Sequence, residues 1–131
     1  MNNITVAIPS ETTEGLSSKR SDHFGHCPLF TLVEIGNNEV TQVRTVENIA
    51  HSTGGCMKPV AMLVENGVTA MVVAGMGRGP FQKMQQHDII VYFADLLKYP
   101  DVQSTIDDFT KGALPTFGSD QLCTGSGNCH N

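Results

Sequence analysis

The apolar residues of this chain sit in short blocks, separated by glycine, proline, serine and asparagine. Such punctuation admits strands and brief helices but no long element, so a core must come from layering several small pieces. The length of 131 residues supplies one domain with a single core. A hydrophobic share of 40%, gathered into blocks, marks a folded chain and not a disordered one. No apolar run approaches the roughly 20 residues that cross a bilayer. The polar start Met1-Asn2-Asn3 leads straight into a strand-like run, so a cytoplasmic location without membrane association is expected. The formal net charge of -5 comes without a Lys/Arg cluster, which argues against nucleic acid as a partner.

The punctuation also predicts the order of elements. Residues 4–8 alternate and are β-branched, then stop at Pro9-Ser10, as a first strand does. Residues 11–28 form a long polar loop. Residues 30–35 and 39–46 read as an antiparallel pair joined by Gly36-Asn37-Asn38, because glycine and asparagine tolerate positive φ. A second loop, 47–58, carries His51 and Gly54-Gly55-Cys56. Pro59 suits the first turn of a helix whose run 60–65 ends at Asn66-Gly67. A buried strand follows at 71–74. The turn Gly75-Met76-Gly77-Arg78-Gly79-Pro80 then opens a helix to about residue 86, and 89–93 is the next strand. After Pro100-Asp101, the residues Val102, Ile106 and Phe109 fall at helical spacing, and Lys111-Gly112 ends that run.

The order β-β-β-α-β-α-β-α predicts an α/β fold with a five-stranded mixed sheet flanked by helices. Strands one, four and five are expected to be parallel, through right-handed crossovers. The α/β domain is expected over 1–114, with 115–131 as a flexible Cys- and Gly-rich tail. In this topology the loops after strands one, three, four and five share one end of the sheet. Ligands of open α/β sheets bind at that carboxyl end.

Four of the five histidines and all four cysteines fall in three loop segments: His23, His26 and Cys27; His51 and Cys56; Cys123, Cys129 and His130. In a reducing cytosol, four cysteines read as ligands or reactive thiols in preference to disulfides. Thiolate and imidazole suit zinc, copper and iron–sulfur centres. Glycines beside them let backbone approach a bulky cluster and offer N–H groups to its sulfides. The metal candidates are therefore His23, His26, Cys27, His51, Cys56, Cys123 and Cys129.

Each has a plainer alternative. A loop histidine also caps turns, and Cys27, ahead of Pro28, also suits a small buried hydrophobe. Cys56 sits before the Pro59 helix with Lys58 nearby, where the helix dipole favours thiolate. His87, beside Asp88, reads as an exposed polar residue. The spacing from Cys123 to Cys129 is wider than a zinc knuckle, so the tail reads equally as a clamp over the site, a partner-binding segment or a redox pair. The turn around Gly77 and Arg78 resembles a phosphate cradle but lacks a following Lys-Ser/Thr. Arg78 there suits an anionic ligand, and close strand–helix packing explains the glycines equally well.

The segment Asp22-His23-Phe24-Gly25-His26-Cys27-Pro28-Leu29-Phe30 resembles the dinitrogenase iron–molybdenum cofactor biosynthesis family. The likeness extends over residues 4–113. It takes in the Gly54-Gly55 loop, Val73-Ala74-Gly75-Met76-Gly77-Arg78-Gly79-Pro80-Phe81, Ile89-Ile90-Val91-Tyr92 and Phe109-Thr110-Lys111-Gly112-Ala113-Leu114. That family includes NifX-like carriers and the C-terminal module of NifB. The resemblance implies a ribonuclease-H-like fold and a non-enzymatic role: holding iron–sulfur or iron–molybdenum cofactor species during assembly. It implies cofactor binding by the His23-Phe24-Gly25 loop and by His51 and Cys56. The candidate cofactor-binding set is His23, Phe24, Gly25, His26, Gly54, Gly55, Gly77 and Arg78. The cluster or its precursor, with cluster-assembly proteins, would be the partners.

The Cys56 position and the Cys123 to Cys129 tail depart from the carriers' pattern, which keeps open a zinc-binding or protein-interaction module. A nuclease or hydrolase is the third class, suggested by the implied fold alone. It needs carboxylates clustered at strand ends, and strand one offers none before Glu11.

Overall fold

The computed structural model describes residues 3–21, 27–48, 57–117 and 122–123. Strand β1 (Asn3–Ser10) is buried along its second half, from Val6 to Ser10. A strand buried on both faces needs a layer on each side. Its neighbours are β2 (Leu29–Gly36), antiparallel over the whole length, and β4 (Ala70–Val73), parallel. Strand β3 (Glu39–Glu47) continues the sheet beyond β2, and β6 (Ile90–Phe93) continues it beyond β4. The sheet is a mixed open one of five strands, as the sequence predicts, and its spatial order is β3-β2-β1-β4-β6.

Alternate residues of each strand face different helices. Ala7, Leu32, Met71, Val73 and Val91 pack with Val60 and Leu63 of α1 (Met57–Glu65) and Met84 of α2 (Arg78–Gln86). Val6, Ile8, Val33, Ala70 and Val72 pack with Val102 and Ile106 of α3 (Val102–Thr110). No helix of the described residues is long and apolar enough to cross a membrane.

The turn chemistry works as predicted, with one shift. Positive φ falls on Asn37 (55°) and Asn38 (65°), giving a two-residue hairpin loop, whereas Gly36 pairs in β2. A Cβ on Gly36 would lie 3.0 Å from Asn3 Oδ1, so glycine serves close approach there. All three helices end alike. Val68 N–H donates to Leu63 O, Ile89 N–H to Met84 O and Ala113 N–H to Asp108 O, with Gly67, Asp88 and Gly112 at positive φ between them. These bonds satisfy carbonyls that a helix end leaves orphaned. Asp101 caps α3 by accepting from Ser104 N–H at 2.8 Å.

The element order departs from β-β-β-α-β-α-β-α by two short strands. Met76–Gly77 (β5), within the glycine-rich turn, pairs in parallel with Leu122–Cys123 (β7). Single-residue patterning carries no signal for a two-residue pairing between segments so far apart. Residues beyond 114 also join the body. Phe93 N–H donates to Pro115 O (2.9 Å) and Phe117 N–H to Val91 O (2.7 Å), and the Phe117 side chain, 4% exposed, packs against Phe81 and Phe93. Phe117→Ala is expected to cost about 3 to 4 kcal/mol in urea unfolding. Leu97→Ala, at a residue 93% exposed, should cost under about 0.5 kcal/mol. Equal losses would contradict the assignment of Phe117 to the core.

Candidate functional site

The parallel set β1, β4 and β6 ends at Ser10, Val73 and Phe93, and β3 runs the same way to Glu47. From β1 the chain moves one way to β2 and β3, then returns to the other side as β4 and β6. The reversal opens the β1/β4 crevice at the carboxyl end, where open α/β sheets take ligands. Two grooves lined by described residues lie elsewhere. One, of about 580 Å³, runs along Phe81, Gln85, Ile90 and Thr116; the other, of about 280 Å³, lies by Ile4, Ile35 and Asn38. Both are mainly apolar and belong to the sheet's flank and opposite end, so the polar chemistry of the crevice weighs more.

At this end Ser10, Leu29 and Glu47 stand in register on β1, β2 and β3. Asn48, next after β3, donates from its backbone to Pro28 O (3.1 Å) and from Nδ2 to Cys27 O (2.8 Å) and Cys27 Sγ (3.5 Å). The residue that closes the first histidine segment is thereby tied to the one that opens the second. Ser10 Oγ donates to Ile8 O and shares a 2.7 Å hydrogen bond with Thr31 Oγ1, both hydroxyls being buried.

Cys27 is 3% exposed and packs in the α1/α2 layer with Phe30. Burial pushes its thiol up to about 12, only partly offset by hydrogen bonds from the Asn48 amide and the backbone at Ser10. A neutral thiol is a poor metal ligand, and losing its proton at ordinary pH needs a cation close by. Gly77 precedes α2 with extended backbone and pairs with Cys123 through β5 and β7; Arg78 opens α2 and is exposed. His87 is exposed, as the sequence suggests. His23, Phe24, Gly25, His26, His51, Gly54, Gly55, Cys56 and Cys129 lie outside the described residues. Among the described residues no three His, Cys, Asp or Glu side chains group as a metal site.

Sequence reasoning passes over Arg20. It sits beside Lys19 in a Ser-rich stretch, the usual composition of a solvated loop, yet it is 5% exposed. Its backbone bridges to Ser10 and donates to Pro100 O (3.1 Å), while Nη1 donates to Ala94 O and Tyr99 O, each at 2.9 Å. Ala94 N–H in turn donates to Val73 O, so the guanidinium lies against the carboxyl ends of β4 and β6. Desolvation lowers its pKa to about 10, with the charge of Asp95 opposing, and it remains a cation at neutral pH. Asn48 and Arg20 carry no motif, and only tertiary placement identifies them.

Cys27 should resist alkylation in the native protein at pH 8, reacting about tenfold or more slowly than after unfolding in urea. Mass-spectrometric mapping separates it from the other cysteines, and equal rates would contradict the buried neutral thiol. The sign of the pH effect follows. A thiol raised from 9.0 to about 12 stabilises the fold fully below pH 9, and that contribution is lost as pH rises to about 12. Cys27→Ala should therefore make the alkaline loss of stability shallower across that interval.

The family profile described as dinitrogenase iron-molybdenum cofactor matches residues 2–112. An uncharacterized protein of Methanocaldococcus jannaschii is 32% identical over 114 residues, covering 86% of this chain and 90% of that protein. The NMR structure of a Thermotoga protein described as a candidate NifB protein is 32% identical, with a TM-score of 0.72, covering 95% of this chain and 99% of that one. The apo orange protein of Desulfovibrio gigas, 22% identical, superposes with a TM-score of 0.75 over 87% of this chain and 92% of its own. That last likeness is one of fold alone.

Proposed function

Because the chain belongs to the dinitrogenase iron-molybdenum cofactor family, we propose that it carries an iron–sulfur or iron–molybdenum-type cluster as cargo during metallocluster assembly. The observation that carries this reading is the junction at the carboxyl end of the sheet. There Cys27 and Asn48, which flank the two segments bearing His23, His26, His51 and Cys56, are hydrogen-bonded to each other. Two donor-rich loops anchored on adjoining strand ends suit a multinuclear cargo better than a single ion, because a cluster takes ligands from separated segments. In this reading His23 and His26 supply imidazole, and Cys56 and His51 supply the facing ligands. The glycines at 25, 54 and 55 let backbone N–H groups approach anionic sulfides. Cys27 would enter the ligand set only after yielding its proton to solvent as metal binds.

The rest of the reading goes with the family. The ribonuclease-H-like fold class, a cytoplasmic location, a non-enzymatic role and assembly proteins as donors or acceptors of the cluster belong to it. The division of the chain into a domain over 1–114 and a tail over 115–131 is part of the proposal as well, read from the tail's composition, with residues 115–117 packed onto the domain. One observation favours a second reading, a zinc-binding or interaction module built with the tail. Cys123 pairs through its backbone with Gly77, directly after the carboxyl end of β4.

Anaerobic reconstitution with iron, sulfide and molybdate, followed by visible spectroscopy and metal analysis, tests the first reading. The expected result is a coloured protein whose iron or molybdenum content falls severalfold in His23→Ala. A colourless product without either metal, or loading unchanged by His23→Ala, would overturn it. Stoichiometric zinc that is lost in Cys123→Ser would establish the second reading instead.

A further inference from the structure

The sequence holds three arginines, at 20, 44 and 78, and they are used differently. Arg44 spends its guanidinium on Asn66 Oδ1 (3.0 Å), Asn66 O (2.9 Å) and Glu34 (3.5 Å). Arg78 is exposed and solvated. Arg20 is buried and only half used: Nη1 makes two hydrogen bonds, while Nε and Nη2 have no partner among the described residues. No carboxylate among the described residues forms an ion pair with it, and the exposed Asp95 acts only at longer range.

Those two nitrogens are not arbitrary. In a guanidinium the Nε–H and one Nη2–H point the same way in one plane, the fork that takes two oxygens of a carboxylate or tetrahedral oxyanion. A purely structural brace for residues 94–100 accounts for Nη1. It gives no reason for a buried charge with its fork empty, since an unsatisfied buried donor is unfavourable and an unpaired buried charge more so. The placement is equally specific, because Arg20 lies against Ala94 and, through it, Val73, at the carboxyl ends of β6 and β4 beside the β1/β4 crevice.

We propose that the Nε–Nη2 fork of Arg20 is an anion-binding site, which grips an anion offering two acceptor oxygens at the carboxyl end of the sheet. The anion is either a free tetrahedral oxyanion or a carboxylate carried by a larger ligand. The proposal deepens the carrier reading, for the fork would hold the negative edge of the cargo at the carboxyl end of the sheet. It leaves the metal donors to other residues. Nη1 fixes the guanidinium plane through two carbonyls, so the fork is oriented before any ligand arrives, and little side-chain entropy remains to be lost on binding.

The full-length protein, free of iron and sulfide, is titrated with molybdate, phosphate and acetate at low ionic strength. The Arg20 Nε–H resonance is followed by NMR and the bound anion by equilibrium dialysis. With three arginines the side-chain spectrum is simple, and Arg20→Lys assigns the signal by its loss. The expected result is a saturable downfield shift of that one signal and binding weakened about tenfold or more in Arg20→Lys, which keeps a charge but loses the fork. Response to molybdate and phosphate identifies a free oxyanion as the source, and response to acetate a ligand carboxylate. A signal unmoved by all three anions, or equal binding by the lysine variant, would overturn the proposal. Should Arg20→Lys fail to fold, the wild-type titration decides alone. Because no iron or sulfide is present, failure here leaves the cluster experiment standing, and failure of cluster loading leaves this site standing.

Discussion

The fold depends on a single constraint: the second half of β1 is buried on both faces. Val6, Ala7 and Ile8 are wholly excluded from water, so neither face of the sheet can be left to solvent, and the helices must divide between them. Residues alternate across a strand, so Ala7 faces α1 and α2 while Val6 and Ile8 face α3. With β1 central, the remaining strands can only be added outward, β2 and β3 on one side and β4 and β6 on the other. The reversal of direction at β1 creates the crevice. Position of the ligand end is thus a consequence of core packing, settled before any ligand residue is chosen.

What the sequence discloses follows from the same physics. The strands were legible because β-branched alternation and punctuation by Asn37, Asn38 and Gly67 are local signals; Pro9-Ser10 does not stop β1, which runs through both, and the ends move by only a residue or two: 4–8 becomes Asn3–Ser10, and 71–74 becomes Ala70–Val73. Two of the three helix ends were legible for the same reason, at Gly67 and Gly112, where positive φ asks for glycine. At Asp88 the same left-handed position is filled without glycine and gave no warning. Non-local features stayed hidden. The pairing of β5 with β7 joins residues far apart in sequence through two backbone pairs. Phe117 showed only as a lone aromatic in a polar tail, although it seals the α2 side of the sheet.

The candidate site divides along the same line. Histidine and cysteine announce themselves by residue type, so the segments around His23 and Cys56 stand out from composition alone, and the element order predicts that both leave the sheet at its carboxyl end. The residues that organise the carboxyl end are of ordinary kinds: Ser10, Thr31, Asn48 and Arg20. Their roles come from being buried where strand ends converge. Cys27 shows how far residue type can mislead without burial. The same thiol that composition offers as a ligand is held neutral by its apolar surroundings.

Charge gives the last step. The chain is acidic overall, with a net charge of -5, and a field of that sign would disfavour, at long range, the anionic cargo proposed for it. Attraction must therefore be supplied locally and at short distance, where low dielectric strengthens each favourable contact. The carboxyl ends of parallel strands present carbonyl oxygens, which are themselves partially negative, so a cation is needed to make that end receptive to an anion. Arg20 meets this requirement in a particular way. Two of its N–H groups neutralise the carbonyls of Ala94 and Tyr99, and two more are directed along the other edge of the same plane. A lysine would satisfy the carbonyls but present no second oriented edge. The choice of arginine at this buried position, and the sheet topology that places it there, are thus parts of one electrostatic arrangement.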